Sequence, residues 1–263
     1  MDATTAVLLD GVWLLDYLGR VVWTSLRVGG LFMVAPLIGT RSVPARVRLA
    51  FVLALSAVLA PIAQPPPLLA LDGRSVLTLL TEIGLGVALG FILRVAFEAA
   101  ALAGELVAQG MALAFAQLSD PLRGGATSGV VGMWFYIGFA LLFLAFDGHV
   151  AMIELLLRSY QTLPVGAPIE DPVALAAASP QFLGQALLTG VSIALPLMMA
   201  MMVVNLAFGV LGRAAPALNP IAVGLPAALA SGMLLMALLI QEIRGPARQI
   251  FDAAFAIALD LAR

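Results

Sequence analysis

Long apolar runs, separated by short clusters of charged residues, prolines and glycines, make up most of the chain. Residues 172–212 and 214–241 contain no Asp, Glu, Arg or Lys. Each run is longer than the roughly 20 residues that an α-helix needs to cross the hydrocarbon of a bilayer. Because a helix satisfies its own backbone hydrogen bonds in lipid, this pattern predicts transmembrane helices.

Six helical spans follow from the apolar runs and the breakers between them. They are 12–38, 47–63, 76–97, 129–146, 182–211 and 215–240, with ends good to a few residues. Pro196 and Pro226 lie inside the last two spans, which predicts kinked helices, and Asn205 is available to bond freed backbone groups. The acidic connection over 147–181 is expected to be a loop. The predicted fold is an all-α, membrane-associated bundle, with one domain over residues 1–263.

The C-terminal residues 242–263 differ from the spans because polar residues recur among apolar ones. Ile250, Ala254, Ile257 and Leu261 fall on one face of a helix. This spacing predicts an amphipathic tail that lies along an interface or packs on a partner.

Composition supports the membrane assignment and excludes several kinds of chemistry. Hydrophobic residues are 62% of the chain and charged residues only 11%, whereas an average soluble domain is roughly 45–50% apolar. Lysine and cysteine are absent and histidine occurs once, so a P-loop, a lysine Schiff base and a His/Cys zinc site are not expected. The net charge of −2 gives no reason to expect nucleic-acid binding. We expect neither a metal nor a cofactor.

A membrane hydrolase would need a nucleophile and a base within hydrogen-bond reach. Ser128 and His149 are the serine–histidine combination of interest, and they lie at opposite ends of the fourth span. The helical rise of about 1.5 Å per residue separates them by roughly 30 Å. We therefore do not expect an enzyme.

Charged residues of the first span form one helical stripe. Asp16, Arg20, Trp23 and Arg27 are spaced by four, three and four. The stripe cannot face lipid, because a charge at the bilayer centre costs at least ~2.5 kcal/mol. Two interpretations are open: an Asp16–Arg20 pair at the water boundary with Arg27 snorkelling, or contact of the stripe with protein.

Charges recur in and after the third span, at Glu82, Arg94, Glu98 and Glu105. The last three lie within about 40° of one another around a helix. Snorkelling does not explain four charges so close together, so we expect this helix to face protein or a wet cavity. The run GLGVALG at 84–90 is superficially similar to a dinucleotide-binding loop. It has no preceding strand and therefore indicates close helix packing.

The segment GELVAQGMALAFAQLSDP, residues 104–121, is too polar to lie against lipid and too apolar for an ordinary loop. From the residues alone, we favour a tightly packed helix end with Phe115 in the core. Buried carboxylates at Glu82, Glu98 and Glu105 also permit a proton-coupled transporter. No inverted repeat of broken spans is evident, which argues against that class.

Four stretches, in order and at comparable spacing, resemble the FliR family of the bacterial flagellar export gate. They are RVGGLFMVAPLIGTRSVPARVRLAFVLALSAVLAP at 27–61, the segment 104–121, LLFLAFDGHVAMIELLLRSYQTLPVG at 141–166 and LGRAAPALNPIAVGLPAALASGMLL at 211–235. The homologous SctT subunit of the injectisome is a sister possibility.

The resemblance implies a non-enzymatic subunit of a protein-conducting channel that is built with FliP and FliQ in the bacterial inner membrane, at the flagellar basal body. Unfolded flagellar proteins would pass through it, and FlhB would be a further partner. In such gates, kinked helical hairpins pack mainly on sister subunits, so the six spans need not all cross the lipid. Six charges then become intersubunit contacts or buried charges: Asp16, Arg20, Arg27, Glu82, Arg94 and Glu98.

In this family, the segment that matches 105–121 forms a plug loop that projects into the pore. The resemblance implies a constriction formed by Met111, Leu113, Phe115 and Gln117. Its flanks would be Glu105, Gln109, Gly110, Asp120 and Pro121. Apolar constrictions exclude water and thereby ions, so such a loop would seal the closed channel.

Overall fold

The structure, a computed structural model, describes residues 3–40, 42–63, 73–111, 129–168, 172–214 and 220–261. Its helices are α1 (Ala3–Val34), α2 (Ala45–Leu59), α3 (Gly73–Gly110), α4 (Val130–Ala145), α5 (Gly148–Thr162), α6 (Pro172–Ala214), α7 (Pro220–Leu239) and α8 (Arg244–Leu261). A short 3-10 turn, Ile240–Ile243, joins α7 to α8. These residues contain no strand, and the prediction of an all-α fold is confirmed.

The helices differ from the predicted spans in three places. Helix α1 begins at Ala3, whereas the first span was predicted to begin at residue 12. Helix α3 continues to Gly110, beyond the predicted end near residue 97, because arginine and glutamate are good helix formers that interrupt only the apolar run. The connection over 147–181 was expected to be a loop, but it contains α5 and the start of α6. Charged and polar residues interrupt the apolar run of α5 and hid it, although Glu154 and Arg158 form an i,i+4 ion pair at 2.6 Å on its surface.

Fewer helices can span a membrane than the six apolar spans suggest. Within the described residues, Ser75–Gly110, Pro180–Ala214 and Pro226–Leu261 are long and apolar enough. Helices α4 and α5 provide a fourth if this bent pair is counted as one span. Helix α2 has 15 residues, so it is about 22 Å long, whereas the hydrocarbon layer is ~30 Å thick. Apolar character therefore does not make every helix a crossing.

The chain folds into two compact units, each assembled from separate stretches. The first unit comprises Met1–Arg94, Asp147–Phe182 and Ala253–Arg263, and the second comprises Val95–Phe146 and Leu183–Asp252. Helices α3, α6 and α8 contribute residues to both. The single domain over residues 1–263 stays a prediction.

In the first unit, glycines allow α1 and α3 to pack closely. A Cβ built on Gly30 lies 2.6 Å from the carbonyl oxygen of Ile83, and one built on Gly90 lies 2.6 Å from that of Leu31. Side chains larger than hydrogen do not fit at such distances from backbone. Gly84, in contrast, faces open space. The glycine-rich run of α3 therefore serves helix packing, as the sequence indicates.

The same unit buries a complete ion pair between α1 and α3. The Nε and Nη2 atoms of Arg27 donate to the two carboxylate oxygens of Glu82, at 2.8 and 3.0 Å. Both residues are only 1% exposed. The Nη1 atom of Arg27 donates to the carbonyl oxygen of Ser159 at 2.6 Å, and Nη2 donates to that of Leu163 at 2.9 Å. The arginine therefore also binds the carbonyl end of α5, where helices leave acceptors unpaired.

Tyr160 completes this cluster. Its ring lies against the Arg27 guanidinium, with the Cζ atom 4.3 Å from the ring centroid. Its hydroxyl donates to the carbonyl oxygen of Thr24 at 2.9 Å, and the Thr24 hydroxyl lies 3.2 Å from the carbonyl oxygen of Ser56 on α2. Helices α1, α2, α3 and α5 are thus connected through one buried polar network.

Four other charges of the two predicted stripes, Asp16, Arg20, Arg94 and Glu98, lie at the surface of the chain. Asp16 and Arg20 pair at 2.9 Å, with side chains 62% and 36% exposed. Arg94 and Glu98 are also exposed on α3, and each has an interaction partner. Arg27 does not snorkel, because the carboxylate of Glu82 binds it inside the chain. Contact of the exposed charges with sister subunits stays a prediction.

An aromatic cluster forms the core of the second unit. Phe97 of α3, Phe139 and Phe143 of α4 and Phe251 of α8 are buried. The ring centroid of Phe251 lies 5.5 Å from that of Phe97, 5.6 Å from that of Phe139 and 5.4 Å from that of Phe143. These tilted and edge-on pairs are the favoured arrangement of aromatic rings.

Helix α8 buries most of the face that its sequence pattern defines. Ile250, Ala254 and Leu261 are buried, and Ile257 is half-buried. This face packs within the chain itself. The two prolines inside the last long helices, Pro196 and Pro226, do not end α6 or α7.

Candidate functional site

The described residues that precede and follow 112–128 belong to the second unit. Helix α3 includes Glu105, Gln109 and Gly110, and Met111 is the next residue after its end. Leu113, Phe115, Gln117, Asp120 and Pro121 lie outside the described residues, as does Ser128. The chain is described again from Gly129, which precedes α4. The site consists of the residues that hold these two ends.

A close contact between α3 and α4 brings the two ends together. A Cβ built on Gly104 lies 2.7 Å from the carbonyl oxygen of Val131 and 2.8 Å from the backbone nitrogen of Gly132. Two backbones can approach this closely only because both positions are glycine. The contact lies between the last turns of α3 and the first turn of α4.

Glu105 joins the two helices by a hydrogen bond. Its Oε1 atom accepts the backbone N–H of Gly129, the N-cap residue of α4. A glycine N-cap has no side chain of its own with which to bind the free N–H groups of the first turn. The carboxylate also lies at the positive end of the α4 dipole, where a negative charge is favourable.

A second polar contact holds the end of α3 against α6. The Nδ2 atom of Asn205 donates to the carbonyl oxygen of Gly110 at 2.9 Å. A Cβ built on Gly110 lies 3.3 Å from the Cβ of Met201, which is buried. The sequence suggested that Asn205 bonds backbone groups freed by the prolines. Instead, it binds a carbonyl of α3.

Met111 packs against α7. Its side chain is 2% exposed, and a Cβ built on Gly232 lies 2.5 Å from the Met111 Cε and 2.9 Å from its Sδ. The missing side chain at Gly232 leaves room for the methionine. Met111 is thus part of the attachment of the segment within this chain, and its place in a pore constriction stays a prediction.

The arrangement attaches the end of α3 to α4, α6 and α7. The described residues hold no group of three or more His, Cys, Asp or Glu side chains that could bind a metal ion. His149 lies exposed at the start of α5. The geometry supplies a packed base, in which α4, α6 and α7 contact residues 104–110 at the end of α3 and the next residue, Met111.

Sequence reasoning named Glu105, Gly110 and Met111, but it missed the residues that bind them. Gly129, Gly132 and Gly232 are separated from them by many residues along the chain. The available signal was the small side chain at each position, since glycine within a helix often marks close backbone approach. The pattern does not indicate which helix makes that approach.

Comparison with known proteins gives consistent matches over nearly the whole chain. Residues 18–254 match the family described as bacterial export proteins, family 1. The flagellar biosynthetic protein FliR of Pectobacterium carotovorum subsp. carotovorum is 34% identical over 251 residues, 94% of each chain. FliR of Escherichia coli K12 is 33% identical over 94% of each chain. FliR of Caulobacter vibrioides is 32% identical over 82% of this chain and 86% of its own.

Proposed function

We propose a function from one premise: the chain belongs to the FliR family, family 1 of the bacterial export proteins. On this premise, the protein is a membrane-embedded component of the flagellar export apparatus. The observation that carries this conclusion is the match to flagellar relatives over 94% of both chains. The helices that are long and apolar enough to cross a membrane agree with it.

We further propose that the protein is a non-enzymatic subunit of the export gate in the bacterial inner membrane, at the flagellar basal body. With FliP and FliQ it would form a channel for unfolded flagellar proteins, and FlhB would bind it. The many exposed apolar side chains of α6 support an environment of lipid or sister subunits, because they exceed what one water-facing protein exposes.

Within that channel, we propose that residues 112–118 carry the plug. Support comes from the firm attachment of the flanking residues, Met111 and Gly129, to the second unit. A plug must keep its apolar side chains at the constriction while the channel is closed. A loop that is attached at both ends reaches a smaller volume than a loop with one free end. Leu113 and Phe115 would be the sealing side chains, with Gln117 beside them.

The relatives favour the flagellar system over the injectisome, since each of those reported is a flagellar protein. The structure also gives no support to a proton-coupled transporter. Glu82 is bound on both oxygens by Arg27, and Glu105 accepts a backbone hydrogen bond. Both carboxylates therefore have partners within the chain.

Deletion of the gene, with plasmid complementation, tests the function directly. We expect loss of external flagella and of secreted flagellar proteins, with flagellin retained inside the cells. The tagged protein should co-purify with FliP and FliQ from detergent-solubilised membranes. Normal flagella, combined with loss of uptake or efflux of one solute, would contradict the proposal and support a transporter.

A further inference from the structure

We propose that Arg48 is a positioning residue, which holds the turn between α1 and α2 in a backbone conformation that Leu37 disfavours. The turn consists of residues 35–40, which follow the end of α1. The role goes beyond the proposed function, because it concerns how α2 is set against α1 and not what passes through a channel. The two proposals can therefore fail separately.

The backbone of Leu37 is the first observation. Its φ angle is 67°, in the left-handed region. A residue with a side chain is uncommon there, because its Cβ atom lies too close to the following carbonyl oxygen. This crowding lowers the population of the conformation by a factor on the order of ten. Glycine adopts it without that cost, so the leucine must be held in place by other contacts of the turn.

The guanidinium of Arg48 supplies such contacts. Its Nε atom donates to the carbonyl oxygen of Ile38 at 3.2 Å, and its Nη2 atom donates to that of Thr40 at 2.9 Å. Because the guanidinium is planar and carries its N–H groups in a fixed fork, it sets the spacing of the two oxygens. The side chain is half-buried, and hydrogen bonds from a charged donor are stronger than those between neutral groups.

The turn uses its own donors on other carbonyl groups. The N–H of Ile38 donates to the carbonyl oxygen of Pro36 at 2.8 Å, and the Thr40 hydroxyl donates to that of Leu37 at 2.9 Å. Pro36 has no N–H, so it adds an acceptor to the turn but no backbone donor. The side chain of Arg48 brings further donors from α2.

The clamp by Arg48 acts close to the start of α2, and a second contact attaches α2 close to its end. There the hydroxyl of Tyr17 on α1 donates to the carbonyl oxygen of Ala57 at 2.9 Å. With 15 residues, α2 is too short to cross the hydrocarbon layer by itself. Its place therefore depends on its attachment to α1, and the turn determines the direction in which it begins.

Amide hydrogen exchange in the turn tests the role of Arg48. The amides are those of Ile38 and Gly39, measured on the full-length chain purified from membranes with the subunits that accompany it. Arg48→Ala should accelerate their exchange about tenfold or more, because two charge-assisted hydrogen bonds are lost. Arg46→Ala is the matched control. It removes the same charge from an exposed position two residues earlier and should leave the exchange unchanged.

Substitutions at Leu37 test the strain. Leu37→Gly and Leu37→Ala both remove the contacts of the leucine side chain, but only Leu37→Gly also removes the Cβ atom and relieves the left-handed conformation. In a chain that carries Arg48→Ala, exchange should be slower with Leu37→Gly than with Leu37→Ala, by a factor on the order of ten after correction for intrinsic rates. Such rescue is expected of a residue that holds a strained turn and not of one that merely adds contacts.

Two results would overturn the proposal. Equal exchange in Arg48→Ala and Arg46→Ala would show that the guanidinium does not hold the turn. Equal exchange with Leu37→Gly and Leu37→Ala would show that the turn is not strained. If Arg48→Ala does not accumulate in the membrane, Arg48→Lys takes its place in both comparisons. It keeps the charge but not the fork, and should accelerate exchange severalfold.

Discussion

Arg27 and Glu82 are 55 positions apart in the sequence, and their side chains meet through two hydrogen bonds of 2.8 and 3.0 Å in a fully buried site. A buried charge is tolerated only when its partner and its remaining hydrogen bonds are supplied. The carbonyl oxygens of Ser159 and Leu163 supply them here. The pair therefore specifies how α1, α3 and α5 fit together.

Removing one member of this pair should be strongly destabilising. Arg27→Leu leaves the Glu82 carboxylate buried without a partner, and Glu82→Gln leaves the guanidinium uncompensated. We expect a loss of about 3–5 kcal/mol for either, seen as a lower midpoint of thermal unfolding. Arg20→Leu is the matched control, because its pair with Asp16 is exposed, and it should cost less than about 1 kcal/mol. A double Arg27→Met, Glu82→Met variant should be less damaging than the sum of its parts.

Glycines of α3 provide a second test within one helix. Gly90→Ala places a methyl group 2.6 Å from the Leu31 carbonyl oxygen, so α1 and α3 must separate. We expect a destabilisation of about 1–3 kcal/mol, as for other overpacked cores. Gly84→Ala adds the same methyl group into open space and should be neutral, or stabilising by up to ~1 kcal/mol. Equal effects in the two variants would contradict the close packing of α1 on α3.

The aromatic cluster makes Phe251, near the middle of α8, part of the second unit's core. Phe251→Ala removes the ring that contacts Phe97, Phe139 and Phe143. We expect a loss of about 3–5 kcal/mol, measured by thermal or denaturant unfolding of the purified protein. Asp252→Ala alters the exposed neighbour of Phe251 and should change stability by no more than ~0.5 kcal/mol.

The plug assignment predicts a change in permeability without a change in assembly. Phe115→Ala, or a shortening within 112–118 that keeps Gly110 and Met111 in place, should raise the conductance of the closed gate severalfold, because a smaller apolar side chain leaves a wider opening that admits water and then ions. Phe115→Leu keeps apolar bulk at the same position and should leak less than Phe115→Ala. The measurements are the conductance of the reconstituted gate and the salt sensitivity of cells. Wild-type permeability in a normally assembled gate would contradict the assignment.

Most helices follow from local pattern, and the misses have physical causes. The charge-free runs around α6 and α7 required helices, because only these satisfy the backbone in lipid. Helix α5 escaped notice because charged and polar residues interrupt its apolar run, although its buried face includes Met152, Leu155 and Leu156. The extension of α3 to Gly110 was missed because hydropathy detects lipid contact and not helix formation. Both errors occurred where a helix is covered by other parts of the chain or exposes polar residues.

By itself, the sequence determined that the protein is helical, that it belongs in a membrane and that its charges cannot face lipid. Those conclusions depend on the free energy of transferring each residue and its backbone from water into lipid, which is a local quantity. Only the tertiary structure decided that Arg27 binds Glu82 and that Glu105 binds Gly129. Such choices depend on which helices pack together, and the helical period along one segment carries no information about its neighbour.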